Sequence, residues 1–265
     1  MHPMLNTAIR AARAGGQVIA RHIHQVDSLK ITTKARNDFV SEVDHQAERE
    51  IIKILSKAYP DHGFLAEESG SHGGSEFTWI IDPLDGTTNF LRGIPHYAVS
   101  IALQQNDRLE QGVIYDPVKD ELFSATRGAG AKLNNGRIRV SGLTELEGAL
   151  LGTGTPFRED QNVDIYLHTL RAMLRDTAGI RRAGSAALDL AYVAAGRLDG
   201  YWEFGLKPWD MAAGLLILQE AGGLTGDVYG GQDHFSSGDI LCGSPKVFKA
   251  MQARLSELAL KPEIY

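Results

Sequence analysis

Two carboxylates at the end of an apolar run are the residues of this chain best suited by type and spacing to chemistry. The segment Trp79–Phe90 (WIIDPLDGTTNF) places Asp82 and Asp85 directly after apolar residues, and Gly86 and two threonines follow at once. Hard divalent cations such as Mg²⁺ take oxygen ligands, usually one or two carboxylates with substrate oxygens and water. A glycine lets the backbone approach an anion closely. This pattern indicates a phosphate group held by metal ions.

The elements on either side of these acids must hold them rigidly. The β-branched and aromatic residues of Trp79–Ile81 predict a buried strand that ends at the first acid. Pro83 fixes its own backbone and biases Asp82 toward an extended conformation. A helix that begins near Thr87 would present free N–H groups to an anion. The strand would then supply metal ligands, and the helix an anion site.

Taken separately, the candidate acids also have ordinary structural interpretations. Asp85-Gly86 is a common hairpin signal, and Glu67 could be a solvated loop acid. The spacing Ser41-x-x-Asp44 resembles a capping box that opens a helix over Asp44–Ala58. Asp210, at the start of an apolar helix, is well placed as an N-cap. The combination of these segments is what favours a catalytic site.

Together the segments resemble the inositol monophosphatase family, part of the lithium-sensitive, Mg²⁺-dependent phosphatase superfamily. The match runs nearly end to end, and the matching segments in family order are Asp38–Asp44, Glu67–Ser69, Asp82–Asn89, Gly184–Ala187 and Trp209–Gly214. Ser41 stands where the family usually has threonine, and it keeps the hydroxyl. The opening Met1–Asn6 and the segment Gly184–Gly196 resemble the bacterial SuhB-type members in particular.

The resemblance implies two Mg²⁺ ions, or three. Glu67, Asp82 and the backbone carbonyl of Leu84 would hold one ion, and Asp82, Asp85 and Asp210 would hold the second. A third, weaker ion near Glu67 is common in the family. Such a pair clamps the phosphate, activates a water and stabilises the leaving alkoxide, so that no covalent phosphoenzyme is required.

The resemblance also implies which residues act on the water and on the substrate. Thr87, backed by Asp44, would orient and deprotonate the attacking water, with Glu67 as the third catalytic residue. The N–H groups of Gly86 and Thr87 would receive phosphate oxygens. The implied substrate-binding residues are Asp85, Gly86, Thr87, Gly184, Ser185, Ala186 and Glu203.

The hydrophobic pattern predicts a mixed α/β protein. We predict first helices over about Met4–His24 and Asp44–Ala58 and an antiparallel meander over Tyr97–Gln104, Gly112–Tyr115 and Glu121–Ala125. Beyond about residue 143, strands and helices alternate, which indicates α/β layers; the predicted elements are Ala149–Gly152, Val163–Arg175, Gly179–Arg182, Ser185–Ala195, Gly200–Phe204, Asp210–Ala221 and a terminal helix Val247–Leu260.

The family resemblance turns this pattern into a specific architecture. It implies a layered αβαβα sandwich of the inositol monophosphatase and fructose-1,6-bisphosphatase type. We expect two tightly joined halves, residues 1–142 with most metal ligands and residues 143–265 with Asp210 and the substrate contacts. The metal site would lie at the junction of the halves, where pockets are most often found.

Charge and cysteine content exclude other classes of protein. The formal net charge of −6 argues against sequence-independent nucleic-acid binding, which needs clustered Lys and Arg. Arg181-Arg182 is the densest basic spot away from the N-terminal helix, and two arginines usually form a solvated surface. A single cysteine, Cys242, excludes an intramolecular disulfide, and we expect it to be a small buried residue.

The chain lacks the sequence features of a secreted or membrane protein. Arg10, Arg13 and Arg21 interrupt any apolar core of a signal peptide, and no run of about 20 apolar residues occurs. We therefore expect a cytoplasmic protein without membrane contact.

These features predict a Mg²⁺-dependent phosphomonoesterase, with myo-inositol 1-phosphate as the first choice of substrate. Related enzymes act on fructose 1,6-bisphosphate, nucleotide 3′-phosphates or histidinol phosphate, and the pocket residues leave the alcohol open. The alternative from another class is a binding role. Some SuhB-type members are thought to act in ribosomal RNA transcription antitermination through RNA polymerase and Nus factors, apart from catalysis. The family also implies a homodimer.

Overall fold

The computed structural model describes residues 2–23, 25, 31–35, 38–158 and 161–258. The predicted ends of the first and last helices, His24 and Leu260, lie outside the described residues. Within these residues the helices are α1 Pro3–His22, α2 Glu42–Ala58, α3 Thr87–Leu91, α4 Val163–Leu174, α5 Ala186–Ala194, α6 Pro208–Glu220, α7 His234–Ser237 and α8 Pro245–Ser256.

A small two-stranded sheet precedes the first large sheet. It pairs β1 (Ile31–Ala35) antiparallel with β2 (Asp38–Ser41). The strands of the eight-stranded sheet are β3 Gly63–Ala66, β4 Gly70–His72, β5 Phe77–Asp85, β6 Ala98–Gln105, β7 Arg108–Asp116, β8 Glu121–Thr126, β9 Ala131–Leu133 and β10 Gly136–Arg137. Their order is β10-β9-β8-β7-β6-β5-β3-β4, and only β3 and β5 are parallel among its pairs. The predicted antiparallel meander corresponds to β6, β7 and β8.

The second large sheet has five strands from the later part of the chain. They are β11 Leu150–Thr153, β12 Gly179–Arg181, β13 Gly200–Glu203, β14 Leu224–Asp227 and β15 Ile240–Gly243. Their order is β12-β11-β13-β15-β14, with β11 parallel to both of its neighbours and β15 antiparallel to both of its own.

The two large sheets and the helices form five layers. Helices α1 and α2 pack on one face of the eight-stranded sheet, and α5 and α6 pack between its other face and the five-stranded sheet. Helices α4 and α8 cover the far face of the five-stranded sheet. This αβαβα order confirms the predicted fold class. The division into halves at residue 142 stays a prediction.

Strand β5 shows why the eight-stranded sheet is apolar on both faces. Successive side chains of a strand point to opposite faces. Trp79 and Ile81 accordingly pack with α1 and α2, whereas Ile80 faces the layer of α5 and α6. A strand buried on both faces is a continuous apolar run rather than an alternating one, which is the pattern in the sequence.

Two glycines allow the middle helix layer to lie close to its neighbours. A Cβ atom on Gly112 of β7 would lie 2.9 Å from the carbonyl oxygen of Ala213 in α6. A Cβ atom on Gly214 of α6 would lie 2.6 Å from side-chain atoms of Leu190 in α5. Since nothing fills these positions, α6 packs directly on the sheet and on α5, which fixes the residues that begin both helices.

Local signals placed most element boundaries within a few residues. Ser41 is the N-cap of α2 and Asp44 completes the capping box, so the helix begins at Glu42 rather than at Asp44. Helix α6 begins at Pro208, which makes Asp210 its third residue instead of its N-cap. Cys242 is fully buried, as expected. No helix in the described part of the chain is long and apolar enough to span a membrane.

Candidate active site

A cavity of about 450 Å³ opens where the ends of β3, β5, β11 and β13 meet the first turns of α3, α5 and α6. The wall includes every sequence-predicted site residue except Asp44, which lies behind it. The predicted residues in the wall are Glu67, Asp82, Leu84, Asp85, Gly86, Thr87, Gly184, Ser185, Ala186, Glu203 and Asp210. Residues that are far apart in the sequence therefore share one site.

An irregularity at the end of β5 presents both of its acids. Asp82 pairs with Ser100 of β6 and Asp85 pairs with Ala98, and the register shifts between them. The strand thus continues past the apolar run, because a bulge accommodates the extra residue without ending the pairing. The N–H of Leu84 donates to Oδ1 of Asp82 at 2.9 Å. This local bond holds the Asp82 carboxylate.

The carboxylates of the cavity affect one another electrostatically. Burial raises the pKa of Asp82 well above its usual range, and the charges of Glu67, Asp85 and Asp210 raise it further. Burial and the charge of Asp85 raise the pKa of Asp210 to about 8. Burial raises the pKa of Asp85 to about 7. Such a concentration of negative charge favours binding of a cation.

The oxygen donors fit a hard divalent cation, although they do not form a finished coordination sphere. Within the described residues, no three His, Cys, Asp or Glu side chains are grouped as a set of metal ligands. Oδ2 of Asp85 instead accepts from Ser185 Oγ at 2.5 Å and from the Ala187 N–H at 2.8 Å. Oδ2 of Asp210 accepts from the Lys207 N–H at 2.7 Å. Because like charges repel, a cation between these carboxylates would stabilise a closer arrangement of them.

Asp44 and Thr87 form a hydrogen-bonded pair beside the acids. The hydroxyl of Thr87 lies 2.8 Å from Oδ1 of Asp44 and 3.0 Å from the carbonyl oxygen of Leu84. Oδ2 of Asp44 accepts from the N–H and the hydroxyl of Ser41, at 2.9 and 2.6 Å. Burial raises the pKa of Asp44, and these bonds partly offset the rise. The capping box of α2 therefore also positions the Thr87 hydroxyl.

Gly86 has a backbone that few other residues adopt. Its φ is 97°, in the left-handed region, and a Cβ atom there would lie 3.0 Å from the His96 carbonyl oxygen and 3.2 Å from that of Gly184. Asn89, which the sequence argument did not single out, donates from Nδ2 to the carbonyl oxygen of Ala183 at 2.9 Å. These contacts hold α3 against the segment that leads into α5.

Glu203, at the end of β13, is another acid of the cavity wall. Burial raises its pKa to about 7, and the Tyr201 hydroxyl donates to its Oε2. Gly154 makes room for this side chain, since a Cβ atom there would overlap the Glu203 carboxylate. Ser185, the N-cap of α5, accepts from the Leu188 N–H. Its hydroxyl thus links α5 to Asp85.

Sequence reasoning missed several polar residues of the cavity wall. Arg158, Gln161 and Asp189 line it, and Arg182 does so although its side chain is otherwise exposed. Arg158 donates to the Gly205 carbonyl oxygen at 2.6 Å. Arg158 comes from a loop without a periodic pattern, and Arg182 belongs to the basic pair that we expected to be a solvated surface, so only the tertiary structure places them in the wall. Asp189 had one signal, a charged residue inside an otherwise apolar helix.

Comparisons with known proteins identify the family of this chain. The model of the inositol monophosphatase family matches residues 1–260. The chain is 54% identical over 257 residues to the Nus factor SuhB of Pseudomonas aeruginosa, with 95% of each chain covered. The crystal structure of the extragenic suppressor protein SuhB of Bartonella henselae superposes with a TM-score of 0.94 at 45% identity, covering 97% of this chain and 99% of that one.

A structure of an inositol monophosphatase is similar as well. The enzyme from Anabaena (Nostoc) sp. PCC 7120 superposes with a TM-score of 0.84 at 38% identity, covering 96% of this chain and 95% of that one. The family fold supports phosphatase activity. The family model, the full-length relatives and the fold lead to one conclusion: this chain belongs to the inositol monophosphatase family.

Proposed function

We propose that the protein hydrolyses a phosphate monoester with Mg²⁺, and that myo-inositol 1-phosphate is its substrate. The observation that carries this proposal is the convergence of Glu67, Asp82, Asp85 and Asp210 on one cavity wall. Their repulsion is what a bound divalent cation would offset. The inositol monophosphatase of Anabaena, a structural neighbour, supports the choice of substrate.

The donor set divides into the two sites implied by the family. Glu67, Asp82 and the Leu84 carbonyl would hold one ion, and Asp82, Asp85 and Asp210 the other, with a third ion near Glu67. When bound, the ions supply an activated water and neutralise charge on the phosphate oxygens. Asp82, buried between the other acids, is the ligand common to both sites.

Thr87 and Asp44 would orient the attacking water and take its proton. A Thr87 hydroxyl that donates to Asp44 still has lone pairs with which to accept a hydrogen bond from water. As the water attacks phosphorus, its proton passes to Thr87 Oγ1 while the threonine proton passes to Asp44. The raised pKa of Asp44 makes that carboxylate a better proton acceptor. Glu67, a proposed metal ligand, is the third residue of the proposed catalytic set.

The remaining wall residues would hold the two halves of the ester. The N–H groups of Gly86 and Thr87 would donate to phosphate oxygens, which is possible because Gly86 lacks a side chain. The alcohol would contact Asp85, Gly184, Ser185, Ala186 and Glu203. Carboxylates suit this task because they accept hydrogen bonds from hydroxyl groups.

Phosphate release from a panel of esters tests the proposed function. The panel consists of inositol 1-phosphate, fructose 1,6-bisphosphate and a nucleotide 3′-phosphate, each with Mg²⁺ and with a chelator. We expect Mg²⁺-dependent release that is fastest from inositol 1-phosphate. Faster release from another ester would change the substrate and keep the mechanism. No release from any ester, by folded protein that binds Mg²⁺, would contradict the enzymatic proposal.

A second candidate function rests on the 54% identity to a protein named Nus factor SuhB. We propose as the alternative that the chain contacts RNA polymerase and Nus factors in ribosomal RNA transcription antitermination. An Asp85→Asn variant separates the two functions in a strain that lacks the gene. Restored growth with an inactive variant favours the partner role, whereas failure of a stable, folded variant favours the enzyme. A cytoplasmic location and a homodimer fit both functions and stay predictions.

A further inference from the structure

Asp189 is a buried acid in the cavity wall to which neither the family motifs nor the proposed mechanism gives a task. It lies one turn inside α5, where its N–H donates to the Ser185 carbonyl oxygen at 3.0 Å. Its side chain is only 2% exposed and lines the cavity. Oδ1 is buried and accepts no hydrogen bond from the described residues.

Neighbouring acids of the cavity, in contrast to Asp189, accept hydrogen bonds from the protein. Four other acids of this cavity each receive a hydrogen bond from the protein: Leu84 donates to Asp82, Ser185 to Asp85, Lys207 to Asp210 and Tyr201 to Glu203. Buried polar atoms are nearly always paired, so an unpaired carboxylate oxygen in a ligand cavity points to a ligand donor.

The electrostatic neighbours of Asp189 place it at the alcohol end of the cavity. Burial raises its pKa well above the usual range, and the charges of Glu203 and then Asp85 raise it further. Glu67 and Asp210, which raise the pKa of Asp82, do not act on Asp189. Among the cavity acids, Asp189 therefore interacts most strongly with Glu203 and next with Asp85, which is both a proposed metal ligand and a proposed alcohol contact.

Two glycines, Gly152 of β11 and Gly154 just after its end, lie beside the carboxyl groups of Asp189 and Glu203. A Cβ atom on Gly152 would lie 3.6 Å from Oδ1 of Asp189, and one on Gly154 would overlap the Glu203 carboxylate. The two acids thus lie beside the same short segment, in which Thr153 and Gly154 line the cavity. The positive charge of Arg182 lowers the pKa of both carboxyl groups.

We propose that Asp189 is a further substrate-binding residue, which hydrogen-bonds a hydroxyl of the alcohol half of the ester and, with Glu203, selects polyhydroxy alcohols. This inference rests on the proposed phosphatase function. A phosphate ester whose alcohol carries several hydroxyl groups meets two carboxylates at this end. An alcohol without hydroxyl groups leaves both carboxylates without that bond, and such unpaired groups weaken its binding.

Selectivity between two esters tests the proposal. We would measure kcat and KM of Asp189→Asn and Asp189→Ala on inositol 1-phosphate and on 4-nitrophenyl phosphate, whose alcohol has no further hydroxyl. We expect the ratio of the two kcat/KM values to fall about tenfold or more in Asp189→Ala, chiefly through KM for the inositol ester. Asp189→Asn keeps the shape and one acceptor oxygen, so its ratio falls less.

Asp227→Asn is the matched control. Asp227 is a buried acid of β14 outside the cavity wall, with its own backbone donors from Tyr229 and Gly231. We expect this variant to keep the wild-type ratio.

Equal losses on both esters in the folded Asp189 variants would show a structural role and overturn the inference, as would an unchanged ratio. If Asp189→Ala does not fold, the ratio of the near-isosteric Asp189→Asn decides. Failure of the wild-type protein to hydrolyse either ester would instead contradict the proposed function, so the two failures are distinguishable.

Discussion

The two ends of the cavity are built in different ways. At the metal end, Asp82, Leu84 and Asp85 come from four consecutive residues at the end of β5. At the alcohol end, Glu203 comes from β13, Asp189 from α5 and Arg158 from a loop. Three of the five proposed metal ligands therefore depend on local chain geometry, whereas Glu67, Asp210 and the alcohol end depend on tertiary packing.

This difference predicts that the metal end determines the rate of the reaction and that the alcohol end determines the selectivity between substrates. Substitutions at the metal end should affect every phosphate ester alike, because all of them share the phosphate. Substitutions at the alcohol end should affect esters unequally. The following changes test this division.

The largest effect is expected from Asp82→Asn. Loss of the ligand common to both proposed metal sites should lower kcat on the order of a thousandfold on every ester, and it should weaken Mg²⁺ binding in calorimetry. Without metal, the variant should melt no lower than the wild type, because a repelled buried charge has been removed. Turnover close to the wild-type rate would contradict the role of Asp82.

Thr87→Val should have the next largest effect. Removal of the hydroxyl leaves the attacking water without its orienting group, so kcat should fall on the order of a hundredfold with little change in KM. Thr87→Ser keeps the hydroxyl and serves as the control, with kcat expected near that of the wild type. The loss should be equal on inositol 1-phosphate and 4-nitrophenyl phosphate. A loss of kcat confined to one ester would indicate that Thr87 affects substrate selectivity, and it would contradict its proposed role in orienting the water.

The metal-free protein should become less stable as pH rises. The pKa of Asp85 is raised from 3.8 to about 7 and that of Asp210 from 3.8 to about 8. Between the unfolded and folded pKa values the folded chain binds more protons, so this stability is full below about pH 4 and is lost as pH rises through 7 and 8.

Thermal melting with a chelator at pH 5.5 and 8.5 measures this loss. We expect a fall of several degrees in the melting temperature. Mg²⁺ should reduce the fall, since it binds the ionised carboxylates. If the melting temperature at pH 8.5 were the same with Mg²⁺ and with chelator, the proposed cation site would be contradicted.

The smallest effect is expected from Tyr201→Phe at the alcohol end. The substitution removes the hydroxyl that donates to Glu203. One hydrogen bond is worth about 1 kcal/mol, so KM for inositol 1-phosphate should rise about fivefold. Kinetics on 4-nitrophenyl phosphate provide the comparison. The ratio of kcat/KM on inositol 1-phosphate to kcat/KM on 4-nitrophenyl phosphate should fall, as expected for Asp189→Ala. An equal change on both esters would deny Glu203 a selective role.

The sequence predicted the metal end more completely than the alcohol end. Asp82, Asp85 and Gly86 lie in one short segment, so turn chemistry and apolar pattern together predicted the end of a buried strand. The full length of β5 was missed, because the bulge keeps residues 82–85 in the sheet after the apolar run stops.

The capping box predicted around Asp44 proved compatible with a site, and Asp210 holds a helix start although it is not the N-cap. Asp44 completes the capping box of α2, Asp210 accepts from the N–H of Lys207, the N-cap of α6, and each also belongs to the candidate site. A carboxylate has two oxygens and several lone pairs, so one bond to a helix N-terminus does not exhaust it. Asp189 could not be assigned from sequence, because its significance arises from the packing of α5 beside Gly152 and Glu203.

A crystal soaked with Mn²⁺, which takes similar oxygen ligands and scatters anomalously, tests the central claim most directly. We expect anomalous peaks bounded by Glu67, Asp82 and the Leu84 carbonyl, and by Asp82, Asp85 and Asp210. Asp85 and Asp210 would each turn an oxygen toward the ion. Mn²⁺ bound only elsewhere, in protein that hydrolyses phosphate esters under the same conditions, would contradict a metal site at this end of the cavity.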